Sequence, residues 1–421
     1  MRPGNTNRLH WQRRRKRRRT EPRAYNQSVT DLPGSFSEFS YTPKLAGIDD
    51  IGSSLITLEF FLNRFRSNLR ILSDWLAPAG IIFVVKANAY GFGIEGLLPI
   101  ISEFEQVMLG VATPDEALEI RALGYSGRIL LMGYTHPRCY YEIKHSDCEL
   151  SAYRPENIPL IAEAWRDIGR PLKLHVKLDT GMTRLGVRLS ELRSFLGLIA
   201  QYDNISVAGL FTHLVSSEQP QLPVNRRQAE QFAEAVRICE DFLGYRPQCH
   251  IANSEATVNL PQLHYDSVRL GQLAYGIRMS DAGIAPEGLQ QCFRLSSEVV
   301  DIHRIGAGEG VSYTHSFVSS KPTTIVTFPY GYADGMWRQL GNLAQVIIGG
   351  KRCRVVGNVT MDYMMADVGE MDVQLGERVT IIGEASSQRI GIEEVARMLD
   401  TVPYEICCRW GRRVRRVYLG D

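Results

Sequence analysis

Short apolar runs alternate with helix-like segments between residues 53 and 290. The runs are rich in Val, Ile and Leu and are bounded by polar residues or glycine, which is typical of buried parallel strands. They lie at residues 81–86, 107–112, 128–133, 172–178, 205–211, 249–252 and 266–270. The segments between them, such as 114–123 and 225–243, are apolar at about every third or fourth position, which predicts amphipathic helices. The pattern therefore predicts an α/β fold with a (β/α)8 TIM-type barrel at residues 53–290.

The pattern changes after about residue 290, where short apolar strands are separated by glycine and proline. This part has only one clear helical segment, at 391–399. The change predicts a separate β-rich C-terminal domain at residues 291–421. Residues 1–52 follow neither pattern and are predicted to be an N-terminal extension and linker.

The composition is that of a soluble globular protein, with 44% apolar and 22% charged residues in a chain of 421. This length allows two domains with sizeable cores. No apolar run approaches the roughly 20 residues of a membrane span, which argues against a membrane partner. The eight cysteines are scattered, without a C-x-x-C pair. Their spacing argues against a zinc site and favours a reducing, cytoplasmic compartment.

The basic residues are concentrated at the N-terminus. Residues 1–23 contain ten Arg or Lys and one acid, whereas the whole chain has a net charge of only +2. The run RRRKRRR at 13–19 cannot fold on itself, because like charges repel and nothing apolar is available to bury. No apolar segment follows it, so a secretory signal does not fit. A disordered extension is favoured over the alternative, a contact with nucleic acid through residues 13–19.

Lys86 stands at the end of the first barrel strand, followed by Ala-Asn-Ala-Tyr-Gly. Barrel enzymes place their chemistry at the C-terminal ends of the strands. A partly desolvated lysine there has a lowered pKa, and its neutral amine can form a Schiff base. The alternative is a lysine that extends its ammonium into water.

Polar side chains also follow the later strands. They are Lys177, Asp179, Arg184, Thr212, His213, His250, Asn253, Ser254, Arg269, Gly271 and Gln272. Taken singly, His213 could be a core histidine, Arg269 half of a buried ion pair, and Ser254 a helix N-cap. Taken together, the glycines and the helix start near Ser254 would suit a phosphate.

Eight motifs carry a resemblance to a known family. They are VVKANAYGFG, KLDTGMTRLG, FTHL, HIANSEA, VRLG, GEGVSY, GYADG and TMDYM. In this order and context the chain resembles the alanine racemases, which are fold-type III enzymes dependent on pyridoxal 5'-phosphate (PLP). The similarity extends from about residue 53 to 418.

The resemblance implies a role for each matching residue. Lys86 would bind PLP covalently as an internal aldimine. The residues around the cofactor and its phosphate would be Tyr90, Asn253, Ser254, Gly271, Gln272 and Tyr404. His213 would lie against the ring and Arg269 would face the ring nitrogen. Lys177 would carry a carbamate that pairs with Arg184, a substrate-binding residue.

Racemisation requires a proton to be removed from one face of Cα and returned on the other, so two acid/base groups are needed. The resemblance assigns them to Lys86 and Tyr313, with Tyr313 acting on L-alanine. Tyr313, Met361 and Asp362 would bind substrate from a partner subunit, which implies a head-to-tail homodimer. The substrate entrance would be lined by Tyr332, Glu218 and Arg338. The implied role is D-alanine supply for cell-wall biosynthesis.

Three positions differ from the family pattern. Phe92 replaces a histidine in the lysine motif, Leu270 replaces a proline, and Arg415 replaces another proline. None removes a proton-transfer or cofactor group. The alternatives are a racemase of serine or a basic amino acid, a PLP-dependent decarboxylase, and a non-catalytic PLP carrier. A carrier would need only the barrel, so the second domain argues against it.

Overall fold

The computed structural model describes residues 54–279 and 283–420. The predicted extension and linker at 1–52, including the basic run at 13–19, lie outside these residues and stay predictions. No helix within the described ranges is long and apolar enough to span a membrane.

The first described strand, β1 (Thr57–Phe61), precedes a parallel barrel of eight strands. The barrel strands are β2 (Gly80–Val84), β3 (Met108–Val111), β4 (Ile129–Leu131), β5 (Cys148–Ala152), β6 (Leu172–Lys177), β7 (Ile205–Phe211), β8 (Gln248–His250) and β9 (Ser267–Leu270). They pair in chain order, and β9 pairs with β2. On its other side β9 is bonded to β8 and the residues just after it, which closes the barrel. The Asp266 N–H donates to Cys249 O at 3.1 Å, and the Arg269 N–H donates to Ala252 O at 2.9 Å. The predicted barrel fold is confirmed.

The sequence pattern missed one barrel strand, β5. Its residues Glu149 and Ser151 are polar, yet both are buried. Glu149 lies in register with Leu130, and Ser151 with His175, so both point into the barrel with those neighbours. A strand with polar residues on its buried face does not give the apolar run by which the other seven were found.

Helices cover the outside of the barrel and complete the second domain. They are α1 (Leu62–Leu76), α3 (Ile94–Ile101), α4 (Pro114–Ala122), α5 (Tyr140–Ile143), α6 (Ile158–Ala164), α7 (Leu192–Ile199), α8 (Pro223–Leu243), α9 (Ser254–Asn259), α10 (Ile392–Met398) and α11 (Pro403–Cys408), whereas α2 (Lys86–Tyr90) is a left-handed turn at the barrel mouth. The single helix predicted for the C-terminal part corresponds to α10. Helix α11 was missed, because six residues are too few to show a helical period.

The C-terminal part is β-rich, as predicted. Its strands are β10 (Phe293–Glu298), β11 (Asp301–Ile305), β12 (Gly310–Val311), β13 (Phe317–Val318), β14 (Thr323–Pro329), β15 (Gln345–Ile348), β16 (Lys351–Val355), β17 (Tyr363–Gly369), β18 (Arg378–Ala385), β19 (Gln388–Ile390) and β20 (Arg415–Leu419). The main sheet has the order β11-β14-β17-β16-β15-β18-β10-β1-β20, with β19 beside β18. Strand β1 therefore belongs to this sheet although it precedes the barrel. The domain limits at 53–290 and 291–421 stay a prediction.

Two of the three positions that differ from the family pattern, Arg415 and Phe92, contribute to the junction between the barrel and the main sheet. The Arg415 N–H donates to Ile56 O at 2.9 Å, beside the parallel pairing of β20 with β1, a bond that proline could not make. Phe92 is fully buried, and its ring centroid lies 4.4 Å from that of Tyr275, 4.9 Å from Phe293 and 5.4 Å from Trp410. Phe92 therefore lies in an aromatic cluster between the two domains. Leu270, the third position, is buried at the end of β9.

Candidate active site

Lys86 lies at the mouth of the barrel, two residues beyond the end of β2, and is exposed there. The following residues Ala87, Asn88, Ala89 and Tyr90 all have φ between 52° and 58°. Such a left-handed turn costs about 1–2 kcal/mol for each residue with a Cβ atom. The surrounding structure must therefore hold the turn in place.

Glu116 supplies part of that support. Its Oε1 accepts a hydrogen bond from the Ala87 N–H at 2.7 Å, and its Oε2 accepts from Ala112 N–H at 2.7 Å and Thr113 N–H at 3.2 Å. Thr113 and Glu116 form the capping box of α4. Glu116 was not among the site residues predicted from the sequence, although the T-x-x-E spacing of the capping box is visible there.

The C-terminal domain holds the other end of the turn. Arg416 Nε donates to Gly91 O at 2.8 Å, and the Tyr418 hydroxyl donates to Phe92 O at 2.8 Å. Both residues belong to β20. The conformation of the lysine segment therefore depends on both domains of one chain.

Two arginines act on the Lys86 amine. The pKa of Lys86 is lowered from its ordinary value, first because the surrounding protein limits hydration of the ammonium, and then by the positive charge of Arg184. Arg269 adds a smaller repulsion, while Glu116 acts in the opposite direction. At a given pH, a larger fraction of the Lys86 amine is therefore neutral than for a lysine in water.

Arg269 is buried in β9 and held by backbone carbonyls. Its Nη1 donates to His250 O at 2.8 Å and to His250 Nδ1 at 3.0 Å. Its Nη2 donates to Thr212 O at 2.7 Å and Ile251 O at 2.9 Å. Within the described residues no carboxylate pairs with Arg269, so the interpretation as half of an ion pair is wrong. Its Nε–H has no acceptor in that part of the chain and is left for a ligand. Burial lowers the pKa of Arg269 to about 10, so it stays a cation at neutral pH.

His213 and Lys177 lie beside Arg269. His213 Nδ1 is 3.3 Å from Arg269 Nη2, and burial, reinforced by the arginine charge, lowers the pKa of His213 well below its ordinary value. Lys177 ends β6 with 7% of its surface exposed, and its Nζ lies 4.4 Å from the centre of the Phe211 ring. Burial, and then the charges of Arg269 and Arg184, lower the pKa of Lys177 to about 7. Arg184 itself is exposed on the turn after β6.

A cradle of hydroxyl and backbone groups lies across the mouth. The Gly271 N–H donates to Ser254 Oγ at 2.9 Å. A Cβ atom on Gly271 would lie 2.5 Å from the Tyr90 hydroxyl, so only glycine fits against this tyrosine. The Tyr404 ring, carried by α11, meets the Tyr90 ring edge-on at 6.2 Å.

Asn253, rather than Ser254, caps helix α9. Asn253 Oδ1 accepts from the Ala256 N–H at 2.9 Å, so the interpretation of Ser254 as a mere N-cap is wrong. The side chain of Gln272 donates to Glu255 Oε1 at 2.9 Å. A ligand would therefore meet the backbone of Gln272 more readily than its amide nitrogen.

Tyr313, Met361 and Asp362 lie on the C-terminal domain. Tyr313 is 70% exposed and Met361 53% exposed. Asn358 Nδ2 donates to Tyr313 O at 2.8 Å, and Arg413 Nη1 donates to Asp362 Oδ1 at 2.8 Å. In the described part of the chain none of the three is recorded in contact with Lys86. They form an exposed edge, here called the tyrosine edge.

The predicted entrance residues are also divided between the barrel mouth and the C-terminal domain. Tyr332 is exposed beside the tyrosine edge, where its N–H donates to Thr360 O at 3.0 Å. Glu218 lies in the loop after β7 and, after burial, is the next cause that raises the pKa of Tyr404, so it belongs to the barrel mouth. Arg338 begins a short 3-10 turn of the second domain.

The groups at the barrel mouth fit a phosphorylated pyridine aldehyde such as PLP. At the cradle the missing Cβ of Gly271 lets the Tyr90 hydroxyl approach the backbone, Lys86 offers an amine of lowered pKa, and the Arg269 Nε–H faces no protein acceptor in the described residues. These are groups that such a molecule requires for its phosphate, carbonyl carbon and ring nitrogen.

Comparisons with known proteins identify the family of this chain. Residues 61–279 match the family model "Alanine racemase, N-terminal domain", and residues 292–418 match "Alanine racemase, C-terminal domain". The alanine racemase of Desulfovibrio desulfuricans is 35% identical over 86% of this chain and 97% of its own length. That of Symbiobacterium thermophilum is 34% identical over 86% of this chain and 97% of its own length.

Solved structures give the same result. The alanine racemase from Streptomyces coelicolor A3(2) has a TM-score of 0.82 and 31% identity, covering 86% of this chain and 98% of that one. The enzyme from Streptomyces lavendulae has a TM-score of 0.80 and 32% identity, covering 87% and 97%. Since both domains match in sequence and in fold, the chain belongs to the alanine racemase family.

Proposed function

We propose that this protein interconverts L- and D-alanine with PLP, using Lys86 and Tyr313 as the two proton-transfer groups. The observation that carries the proposal is the division of the site. The barrel mouth brings the lysine amine together with the cofactor cradle, whereas the tyrosine edge presents a phenol to the outside of the same chain.

The cofactor-binding residues have separate roles. Lys86 Nζ would hold PLP covalently. The phosphate would be held by Tyr90, Ser254, Gly271, Gln272 and Tyr404, beside Asn253. Arg269 can only donate a hydrogen bond, so its Nε–H favours an unprotonated ring nitrogen opposite it. Bound PLP supplies an electron-accepting ring that stabilises the negative charge left on Cα after proton removal.

The protons are moved by two side chains of this protein. Lys86 Nζ would take or return the Cα proton on one face, favoured by its lowered pKa. Tyr313 Oη would do the same on the opposite face. Arg184 would bind the substrate carboxylate, with Met361 and Asp362 beside it.

Lys177 is well suited to carry a carbamate. Formation of a carbamate from CO₂ needs a neutral amine, and a pKa of about 7 provides a large neutral fraction near neutral pH. The resulting anion would lie among the charges of Arg269 and Arg184, which now repel the ammonium. It would orient Arg184 toward the substrate.

A homodimer would unite the two halves of the site. The tyrosine edge exposes Tyr313 and Met361, Tyr332 is exposed beside it, and large exposed apolar groups of this kind mark interaction surfaces. A second copy placed head to tail would bring this edge to the barrel mouth of its partner. The eight free cysteines of the described residues suit a cytoplasmic location.

The test is an amino-acid panel with the purified chain and added PLP, assayed by chiral chromatography. We expect alanine to racemise faster than serine, lysine and arginine, and Lys86→Ala to lose nearly all activity. The exposed-strand variant Lys351→Ala is the control. A faster rate with serine or a basic amino acid would show that this amino acid, and not alanine, is the preferred substrate. An active Lys86→Ala variant would refute the role of the lysine.

A further inference from the structure

A chain of hydrogen bonds continues from Arg269 through the interior of the barrel. His250 Nδ1 contacts Arg269, and His250 Nε2 lies 2.9 Å from His175 Nδ1. His175 Nε2 in turn lies 2.8 Å from Glu149 Oε2. Both histidines are fully buried, and Glu149 is 5% exposed. Four side chains from four strands thus form one continuous polar path.

The two ends of this path determine every proton position between them. Arg269 can only donate, so His250 Nδ1 must be the acceptor and His250 Nε2 must carry the proton. That proton points to His175 Nδ1, so His175 must carry its own proton on Nε2. The His175 Nε2–H then donates to the Glu149 carboxylate. All bonds of the path are therefore aligned in one direction, from guanidinium to carboxylate.

Charges at the base of the barrel keep Glu149 ionised. Arg128 contacts both carboxylate oxygens, at 2.7 Å and 3.0 Å, and Lys173 Nζ lies 3.9 Å away. Burial acts to raise the pKa of Glu149, but the hydrogen bonds from His175 and Arg128 outweigh it and hold the pKa at about 2. Burial lowers the pKa of His175, so this histidine is neutral at neutral pH and acts as a donor rather than as a cation.

The barrel is shaped around these rings. A Cβ atom on Gly209 would lie 2.1 Å from His175 Nδ1, so the glycine provides the space for the imidazole. The His250 ring stacks on Phe211 with centroids 4.8 Å apart and an interplanar angle of 11°. The opposite side of the interior is apolar, with Ile82, Met108 and Leu130. The polar path is therefore confined to one side of the barrel.

We propose that His175 and Glu149 are positioning residues for racemisation, which act through His250 to keep Arg269 in the orientation that meets the cofactor ring. This proposal rests on the proposed function of Arg269. His250 offers its Nδ1 lone pair to Arg269 only while its Nε2–H has an acceptor. That acceptor, His175 Nδ1, is available only while the His175 Nε2–H has Glu149. Loss of any side chain of this path leaves either one buried N–H group without an acceptor or two buried N–H groups that point at each other.

The first experiment compares two replacements of His175. Glutamine can accept from His250 with its carbonyl oxygen and donate to Glu149 with its amide, whereas leucine can do neither. We expect His175→Leu to lower kcat about tenfold or more, as losses of supporting partners in a site typically do. His175→Gln should retain at least about half of wild-type kcat. KM should change less than kcat in both.

Met108→Leu is the matched control, because Met108 lies in the same barrel interior but outside the polar path. It should leave kcat unchanged. Wild-type kcat in His175→Leu would overturn the proposal. An equal loss in His175→Gln and His175→Leu would also overturn it, because that result would make the loss one of packing.

The second experiment locates the hydrogen atoms on the His250 and His175 rings directly, by neutron diffraction from crystals of the perdeuterated wild-type holoenzyme. Deuterium on Nε2 and not on Nδ1 of both His250 and His175 is expected. Deuterium on Nδ1 of either residue would overturn the proposal even if His175→Leu does not fold. Absence of racemisation by the wild type would refute the proposed function instead, and the proton positions would still be readable.

Discussion

The Ala87 N–H donates a hydrogen bond to Glu116 Oε1 at 2.7 Å, so a side chain that caps one helix also holds the turn after the reactive lysine. The other carboxylate oxygen accepts from Ala112 and Thr113. One residue thus links the ends of strands β2 and β3 beneath the barrel mouth.

Replacing Glu116 with glutamine should weaken this link. Ala87 and Ala112 donate to different oxygens of Glu116, and in glutamine one of these oxygens is replaced by an NH2 group that cannot accept. We expect a loss of about 1 kcal/mol in the free energy of unfolding, as for a lost helix cap, and a several-fold lower kcat. Removal of the carboxylate charge should also lower the pKa of Lys86, since Glu116 now raises it.

Denaturant unfolding and steady-state kinetics of Glu116→Gln measure these effects. The control is Glu119→Gln, an exposed position on the same helix α4, which should leave both quantities unchanged. If Glu116→Gln and Glu119→Gln behave alike, Glu116 does not support the lysine turn.

Tyr313→Phe should separate the two faces of the substrate. Because L- and D-alanine have equal free energies in water, racemisation kcat/KM must fall equally in both directions. The face is therefore read from exchange of the Cα hydrogen with deuterated solvent. We expect Tyr313→Phe to suppress exchange from L-alanine by a factor of a hundred or more, on the order of general acid–base contributions. Exchange from D-alanine, through Lys86, should persist.

The measurement is the mass of L- and D-alanine separately incubated with the variant in D₂O. Tyr363→Phe is the control, since Tyr363 is also an exposed tyrosine of the second domain. Equal suppression of exchange from both enantiomers would contradict a tyrosine that acts on one face only.

Most strands and motifs could be predicted from the sequence, but the long-range contacts that stabilise them could not. Strand β5 was missed because Glu149 is stable inside the barrel only through Arg128 and His175, which come from other strands. The left-handed turn after Lys86 contains no glycine from Ala87 to Tyr90, so local preferences argue against it. Its support comes from Glu116 and from the C-terminal strand, and such distant contacts leave no local pattern.

Acid should destabilise the protein through Glu149. Its pKa is about 2 in the folded state, below the ordinary value of 4.5. A depressed folded-state pKa means that the stabilisation is present above about pH 4.5 and is lost as the pH falls toward 2. The facing groups are the cations Arg128 and Lys173 and the neutral His175. The shift corresponds to roughly 3 kcal/mol as an upper bound.

Unfolding free energies of the wild type and Glu149→Gln, measured from pH 7 to pH 3, test this expectation. The difference between the two proteins should narrow as the pH falls below about 4.5. Glu105→Gln, an exposed position with no ion pair among the described residues, is the control and should follow the wild type closely. A difference that stays constant over this range would show that Glu149 does not titrate with a depressed pKa.

Phe92→His introduces the residue that the resemblance predicts at this position and should affect stability more than cofactor binding. The Phe92 side chain packs on Tyr275, Phe293 and Trp410 and is fully buried, so a histidine there would replace apolar ring contacts by a smaller polar ring that has to be desolvated. We expect the free energy of unfolding to fall by about 1–3 kcal/mol. Phe92 has no recorded contact with Ser254, Gly271 or Tyr404 among the described residues, so the PLP dissociation constant should change less than about threefold. Denaturant unfolding and fluorescence titration of the apoenzyme with PLP measure the two quantities. A large change in PLP affinity with unchanged stability would place position 92 in the phosphate site rather than in the junction between the domains.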